Sequence, residues 1–226
     1  MEVQTPISNQ GWLDKWEKSQ GKPMWQKEEV HDAVLLYFDK VINDRPRRVL
    51  VPWCGKTIDM KWLYDKGHMV TGVELYEPSV VSFFEEHAFQ FTKQQLGKFA
   101  LYQSADGRMR IFVGDWYAFD SQSAGLEFDA VWDRGAFQAA NPEDRRRYVS
   151  VISNLLSQDV KYLISTMQYD ATQHAGPPFN VTPEHMELYF GHDYEIQHLS
   201  TTDARSELPH IPVEWLHEHR SSRSSC

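Results

Sequence analysis

The sequence predicts one α/β domain with a doubly wound, mostly parallel sheet and helices on both faces. Three observations carry this expectation. Seven short runs rich in β-branched and aromatic residues recur along the chain, at Arg48 to Trp53, Met69 to Leu75, Arg110 to Trp116, Phe128 to Asp133, Lys161 to Gln168, Tyr194 to Ser200 and Val213 to His217. Helical patterns separate the earlier runs, and strands alternating with helices build parallel sheets through crossover connections. Several runs are almost continuously apolar, which suits strands covered on both faces.

Taken in order, the chain opens with Trp12, Trp16 and Trp25, which belong to no strand–helix–strand unit. From Met24 to Ile42, apolar residues at Val30, Val34, Tyr37, Phe38 and Val41 recur at helical spacing, so a helix precedes the first strand. The segment Thr57 to Lys66, closed by Gly67, predicts the next helix, and Pro78 to Phe89 the one after. Asn141-Pro142 and Thr182-Pro183 each pair a capping side chain with a proline at the first helical position, and Glu143 and Asp144 add favourable charge to one first turn. The strands after Phe179 are joined by less helix, which predicts an antiparallel edge. The expected organisation is a single domain over residues 1–226, with an N-terminal cover and helix at 1–45, an α/β core at 46–220 and a polar tail at 221–226.

Composition narrows the function classes. The formal charge of −9 disfavours nucleic acid and anionic membrane surfaces, so a small molecule is the expected partner. Two cysteines, Cys54 and Cys226, build no disulfide framework, and neither a signal segment nor a membrane span is read in the chain. A cytoplasmic, monomeric protein is expected. Ten histidines form no metal-binding motif, and no metal is expected.

Ligands of doubly wound sheets bind beyond the carboxyl ends of the strands, so the residues just after each strand matter most. After the first strand the loop reads Pro52-Trp53-Cys54-Gly55-Lys56-Thr57, with one glycine where a dinucleotide fingerprint carries three. It is not a Walker loop either, because Leu50 stands where the upstream glycine belongs. One glycine permits close approach to a ligand without room for a pyrophosphate. Glu74, ending the second strand 19 positions later, has the spacing of a ribose-binding carboxylate. The alternative is a turn glycine and an ordinary strand-end carboxylate.

Gly114-Asp115-Trp116 follows the third strand, where Asp115 can accept from an adenine amine and Trp116 can lie on the base, or the indole is simply core. Trp132-Asp133-Arg134-Gly135 closes the fourth strand. Asp133 and Arg134 either compensate each other, or Arg134 binds a carboxylate or an anionic substrate. The N-terminal tryptophans either dock as core or fold over the crevice as an aromatic lid that stabilises a sulfonium and excludes water. A phosphate-free adenosine bearing a positive sulfur, S-adenosylmethionine, fits this set better than a nicotinamide cofactor.

The combined motifs are more specific than any one of them. Trp12-x-x-Lys15-Trp16, Pro52-Trp-Cys-Gly-Lys56 with Met60-Lys-Trp62 and Gly67-His68, Gly72-Val-Glu74, Trp132-Asp-Arg-Gly135, Asn141-Pro142 with Asp144-Arg145, and His174-Ala-Gly-Pro-Pro-Phe179 together resemble the thiopurine S-methyltransferase family, in order from Gly11 to Phe190. The resemblance implies the Rossmann-like class I methyltransferase fold, a seven-stranded mixed sheet, and S-adenosyl-L-methionine as methyl donor. It implies Trp12 and Trp16 as cofactor lid, with Trp25 on the substrate side. Trp53, Gly55, Glu74 and Leu75 then belong to the methionine and ribose end, Asp115 and Trp116 to the adenine, and Arg134 to the region of the sulfonium and acceptor. Pro177, Pro178 and Phe179 become part of the acceptor wall.

The implied reaction is S-methylation of a small aromatic or heterocyclic thiol. Arg134 would stabilise the thiolate, with Asp14 or Asp133 as proton acceptors. The alternatives are a halide or thiocyanate methyltransferase and a non-catalytic S-adenosylmethionine-binding homologue. The family usually carries an aliphatic residue where Trp53 stands. It also places an acceptor-contacting arginine before the last strand, where Arg205 is out of register.

Overall fold

The computed structural model describes residues 6–42, 45 and 47–222. The first helix, α1 (Asn9–Lys18), is capped by the Ser8 hydroxyl, which accepts from Gly11 N, and carries Lys15 and Lys18 in its last turn. Residues 19–31 then cross the sheet's carboxyl edge without regular structure, and α2 (Asp32–Ile42) begins only afterwards. The expected helix from Met24 is therefore shorter. Its apolar period holds from Val30 onward, but Trp25 and Gln26 are committed to contacts with the loops below.

The core follows as β1 (Arg48–Pro52), α3 (Ile58–Asp65), β2 (Met69–Glu74), α4 (Glu77–Glu86), β3 (Phe91–Leu96), β4 (Phe99–Ser104), β5 (Met109–Val113), the one-turn α5 (Ser121–Ala124) and β6 (Phe128–Arg134). After it come the one-turn α6 (Ala136–Ala139), α7 (Arg145–Ser153), β7 (Leu156–Tyr169), α8 (Pro183–Phe190), β8 (Tyr194–Asp203) and β9 (Val213–Ser222). Single 3-10 turns occupy Trp116–Ala118 and Pro142–Asp144. Thr182 caps α8 as expected, its hydroxyl accepting from His185 N while His185 Nδ1 accepts from Thr182 N. Asn141 makes no cap, because its side chain is tied to the N-terminal segment.

The described strands form one sheet in the order β3-β4-β5-β2-β1-β6-β7-β9-β8. The five strands from β5 to β7 are mutually parallel, and both flanks are antiparallel. The α/β class and the antiparallel edge at β8 and β9 match expectation, while the strand count rises from seven to nine. The additional pair is the β3–β4 hairpin, turned by Gly97 and Lys98, with Gly97 at φ +57° as a tight two-residue turn demands. The last strand runs to Ser222, past the core boundary expected at 220; Cys226 and the rest of the expected tail beyond that strand lie outside the described residues.

Two cores cover the sheet. On one face Phe38, Met60, Leu63, Val80, Phe83 and Phe84 pack from α2, α3 and α4. On the other, Phe137, Tyr148, Ile152, Met186 and Phe190 pack from α6, α7 and α8. A smaller cluster of Met167, Tyr169, Ala204, Ile211, Val213 and Trp215, joined by Leu208, extends β7 and β9 beyond the carboxyl edge of the central strands. That extension walls one end of the site. Among the described residues no helix is long and apolar enough to cross a membrane.

Candidate active site

The carboxyl ends of β1, β2, β5 and β6 converge on a cavity of about 650 Å³, roofed by α1 and by residues 24–26, within the size range of small-molecule sites. Directly after β1, Trp53 is held at φ +44°, a conformation that costs a bulky residue free energy, and Gly55 follows at φ +54°. Trp53 is fixed in this turn by edge contacts with Tyr117 and Tyr148, at centroid distances of 6.1 and 5.7 Å. A Cβ on Gly55 would stand 2.4 Å from Gln26 Nε2 and 3.3 Å from the Trp16 ring. The loop is therefore closed tightly under the roof.

Glu74 ends β2 with its carboxylate held by three backbone amides, two on Oε1 and one on Oε2, which leaves acceptor capacity on Oε2. Oε2 accepts from Gly55 N at 2.8 Å, and Oε1 accepts from Leu75 N and Tyr76 N, both at 2.8 Å. Burial pushes this carboxyl above its ordinary value, while the three amides oppose the shift by favouring the charged form. Lys56 provides no phosphate contact here, since its ammonium bonds Glu86 at 2.7 Å and Ser82 at 3.2 Å. Thr57 caps α3. The Gly-Lys-Thr tripeptide is thus a turn and a helix start.

Cys54 is a buried thiol packed against the backbone of Gly72; burial, and then the charge of Glu74, raise its pKa. It is a packed cysteine with no thiolate character. Beyond β5, Asp115 accepts from Tyr117 N at 2.9 Å and starts the 3-10 turn. Trp116 is 2% exposed and packs on Phe119 and Tyr148, with its indole N–H unpaired. It is both core and cavity wall.

The roof is aromatic and pinned at several points. Trp12 and Trp16 each meet Trp25 edge-on, at 5.7 and 5.8 Å, and Trp16 stacks on Tyr76 at 5.3 Å. Asn141 holds the entry to α1, accepting from Ile7 N at 2.8 Å and donating to Ile7 O at 3.1 Å. Gln26 accepts from Lys56 N at 3.1 Å, and Arg134 donates from Nη1 to Trp25 O at 2.7 Å.

Asp133 and Arg134 do not compensate each other directly. Asp133 is fully buried and accepts from the hydroxyls of Tyr148 and Tyr162, each at 2.8 Å, and from Phe137 N at 3.2 Å. Burial pushes its pKa up, while the two tyrosines and the Arg220 charge oppose that shift. Its acceptor capacity is spent on structure, and it does not line the cavity. Arg134 does line it, lies over the Trp215 ring at 5.6 Å, and retains an unpaired Nε. Burial pulls the guanidinium down, and the carboxylates of Asp59 and Glu207 hold it up.

Of the residues expected at the site, Trp12, Trp16, Trp25, Trp53, Gly55, Glu74, Leu75, Asp115, Trp116, Arg134 and Pro178 line one cavity. Asp14 and Phe179 do not. Asp14 sits two residues from each lid tryptophan, on the opposite side of α1, where it accepts from Gln10 at 2.8 Å. Phe179 is 1% exposed and packs behind the Pro177–Pro178 wall, its ring against Gly176. Arg205 also lies away from the cavity, 71% exposed at its side chain and paired with Asp203.

Sequence reasoning missed Asp59, Gln138, Met167, Glu207, Leu208 and Trp215, which complete the walls. Asp59 had a signal: a carboxylate on the inner face of a helix start is rarely unpaired. It accepts from Trp132 Nε1 and from His31 N, both at 2.8 Å. The others come from α6, β7, β9 and the loop between β8 and β9, and no local motif joins them.

A family model described as thiopurine S-methyltransferase (TPMT) matches residues 7–224. The probable thiopurine S-methyltransferase of Danio rerio is 36% identical over 200 residues, covering 87% of this chain and 85% of that protein. The thiopurine S-methyltransferase of Bos taurus is 34% identical over 200 residues, 87% of this chain and 80% of that protein. Among solved structures, the Burkholderia thailandensis 1,6-didemethyltoxoflavin-N1-methyltransferase, with 1,6-didemethyltoxoflavin and S-adenosylhomocysteine bound, superposes with a TM-score of 0.67 at 19% identity, over 98% of this chain and 94% of that one. TehB from Haemophilus influenzae gives a TM-score of 0.61 at 14% identity, over 93% and 67%. These two likenesses show the shared methyltransferase fold.

Proposed function

This chain belongs to the thiopurine S-methyltransferase family, a family of S-adenosylmethionine-dependent methyltransferases, and from that premise we propose that it methylates the sulfur of small aromatic or heterocyclic thiols. The observation that carries the reading is the Gly55–Glu74 corner beneath an aromatic roof. A single bare glycine, a carboxylate fixed at a strand end and a lysine already bonded elsewhere fit an adenosine without phosphates. A diphosphate would instead need several convergent amides or free cations.

When bound, S-adenosylmethionine supplies an electrophilic methyl group on a positively charged sulfur. In this reading Glu74 accepts from the ribose hydroxyls and Gly55 lets the backbone approach. Trp53 and Leu75 flank the ribose and methionine end, and Asp115 with Trp116 bounds the adenine. Trp12 and Trp16 cover the cofactor, and their faces favour a nearby cation.

Arg134 lines the cavity, where it donates to the Trp25 carbonyl, and in this reading it stabilises the acceptor sulfur as a thiolate. Trp25, Pro178, Met167 and Trp215 supply a polarisable, largely apolar wall suited to an aromatic thiol. Charge is lost from both reactants as the methyl moves, so alignment and water exclusion by the roof contribute more than an oxyanion site. Asp133, saturated by two tyrosines, holds the β6 end in place and takes no proton.

Calorimetric titration with S-adenosylmethionine tests the cofactor half. A methyl-transfer assay over thiophenol, a heterocyclic thione, thiocyanate and iodide tests the acceptor half. Turnover of the aromatic thiols above the small anions is expected. Preference for the anions would overturn the acceptor assignment, and cofactor binding without any turnover would point to a non-catalytic homologue.

A further inference from the structure

The loop between β7 and α8 brings an imidazole into the cavity wall. His174 lines the cavity together with Pro177, Pro178 and Met167. Tyr169, from β7, secures it there: its ring meets the imidazole edge-on at 5.5 Å, and its hydroxyl donates to Pro178 O. The imidazole is half-buried, and its Nε2 is shielded from solvent with no hydrogen-bond partner among the described residues. A polar atom in that state costs free energy unless a molecule filling the site pairs with it. Asp170, the one carboxylate of the same loop, is spent on Thr172 and Gln173. Arg134 and Glu207 are the charged groups that share this end of the cavity with His174.

Methylation of a thiol, as distinct from a thiolate, has to dispose of a proton inside a roofed cavity. Arg134 has donors only and cannot take it. Each carboxylate of the wall already holds a donor: Asp59 has Trp132 and His31, Glu74 three amides, Asp115 the Tyr117 amide, Asp144 Asn141 and Glu207 Lys27. Resting on the S-methylation reading, we propose that His174 is the general base of the reaction, accepting the S–H proton of the acceptor thiol on Nε2. The S–H electron pair stays on the acceptor sulfur, which bonds to the methyl carbon as that carbon's bond to the sulfonium breaks. The pair of the broken bond returns to the cofactor sulfur, and the imidazolium releases its proton to water when the roof opens. The products are a methyl thioether and S-adenosylhomocysteine. Thiols acidic enough to arrive as thiolates bypass the base.

The test compares two acceptors within one enzyme, because a ratio does not depend on how much of a variant is folded. Methyl transfer is measured with 4-nitrothiophenol, which is ionised near neutral pH, and phenylmethanethiol, which is protonated there, using the full chain and His174→Gln. The substitution should lower kcat/KM for phenylmethanethiol by roughly 100-fold or more, the scale of general-base catalysis, and leave 4-nitrothiophenol almost unaffected. Alkaline pH, which ionises phenylmethanethiol in solution, should return the variant toward the unmodified chain.

No selective loss with phenylmethanethiol, a loss that alkaline pH does not relieve, or an unmodified chain that methylates 4-nitrothiophenol alone would overturn the role of His174 and leave S-methylation standing. Absence of methyl transfer to both thiols by the unmodified chain would remove the S-methylation reading and this proposal with it.

Discussion

Replacing Glu74 by alanine is the most informative perturbation of the cofactor site. Its carboxylate accepts three backbone N–H bonds at 2.8 Å, from Gly55, Leu75 and Tyr76, and these orient it at the end of β2. Hydrogen bonds to a charged group contribute about 1.5–3 kcal/mol, so losing the ribose contacts should weaken S-adenosylmethionine binding roughly 10- to 150-fold. The same substitution leaves three amides without their partner, at a cost of about 1 kcal/mol or more each where water cannot replace it. Some loss of stability is therefore expected alongside. Isothermal titration separates the two effects, because a less folded sample lowers the stoichiometry while a damaged site raises the dissociation constant. Stoichiometry near that of the unmodified chain with an unchanged dissociation constant would refute the assignment of Glu74 to the ribose.

Trp53 occupies a left-handed backbone conformation, so Trp53→Gly should be more stable than Trp53→Ala by about 1 kcal/mol, the reverse of the usual order, as read by urea denaturation. Asn141→Ala removes both hydrogen bonds to Ile7, and is expected to raise the KM for S-adenosylmethionine and speed proteolysis within the N-terminal cover, with kcat less affected. Asp133→Asn should lower stability by about 1–3 kcal/mol, since an amide cannot accept from both tyrosines and Phe137 N, and the loss should show in the melting temperature before activity. His217 is 3% exposed and burial pulls its pKa from 6.5 to about 4. The unfolded chain then binds the proton more readily than the folded one, so the stability contribution is whole above pH 6.5 and falls as the pH drops toward 4, by at most about 1.4 kcal/mol per pH unit. Denaturation series at several pH values should show this slope, and its absence would mean that His217 is hydrated in the folded state.

The parts of the fold legible in the sequence were those whose burial is periodic. β1, β2, β5 and β6 are buried on both faces and read as apolar runs, and α3 and α4 are bounded by Thr57 and Gly67 and by Pro78. The hairpin of β3 and β4 was not legible, because β3 is almost wholly exposed and its Thr-Lys-Gln-Gln interior presents no apolar alternation. The overlong helix from Met24 failed for a different reason: Trp25 and Gln26 spend their groups on Arg134 and the Gly55 loop, a tertiary demand that a helical period cannot record.

The site divides along the same line. Its cofactor side was readable because doubly wound sheets bind ligands at strand ends, which made Gly55, Glu74 and Asp115 conspicuous by position. Its acceptor side was not, since Met167, Glu207 and Trp215 come from long antiparallel strands and their connecting loop and meet only in three dimensions. Asp14 was misjudged by adjacency: neighbours two apart on a helix face different ways.

The most direct measurement is the mass spectrum of the product formed from S-adenosylmethionine and benzimidazole-thione, with fragmentation locating the new methyl group. Methyl on sulfur, formed in step with S-adenosylhomocysteine, is the predicted result. Methyl on a ring nitrogen, or no methylated product from a chain that binds the cofactor, would contradict the account.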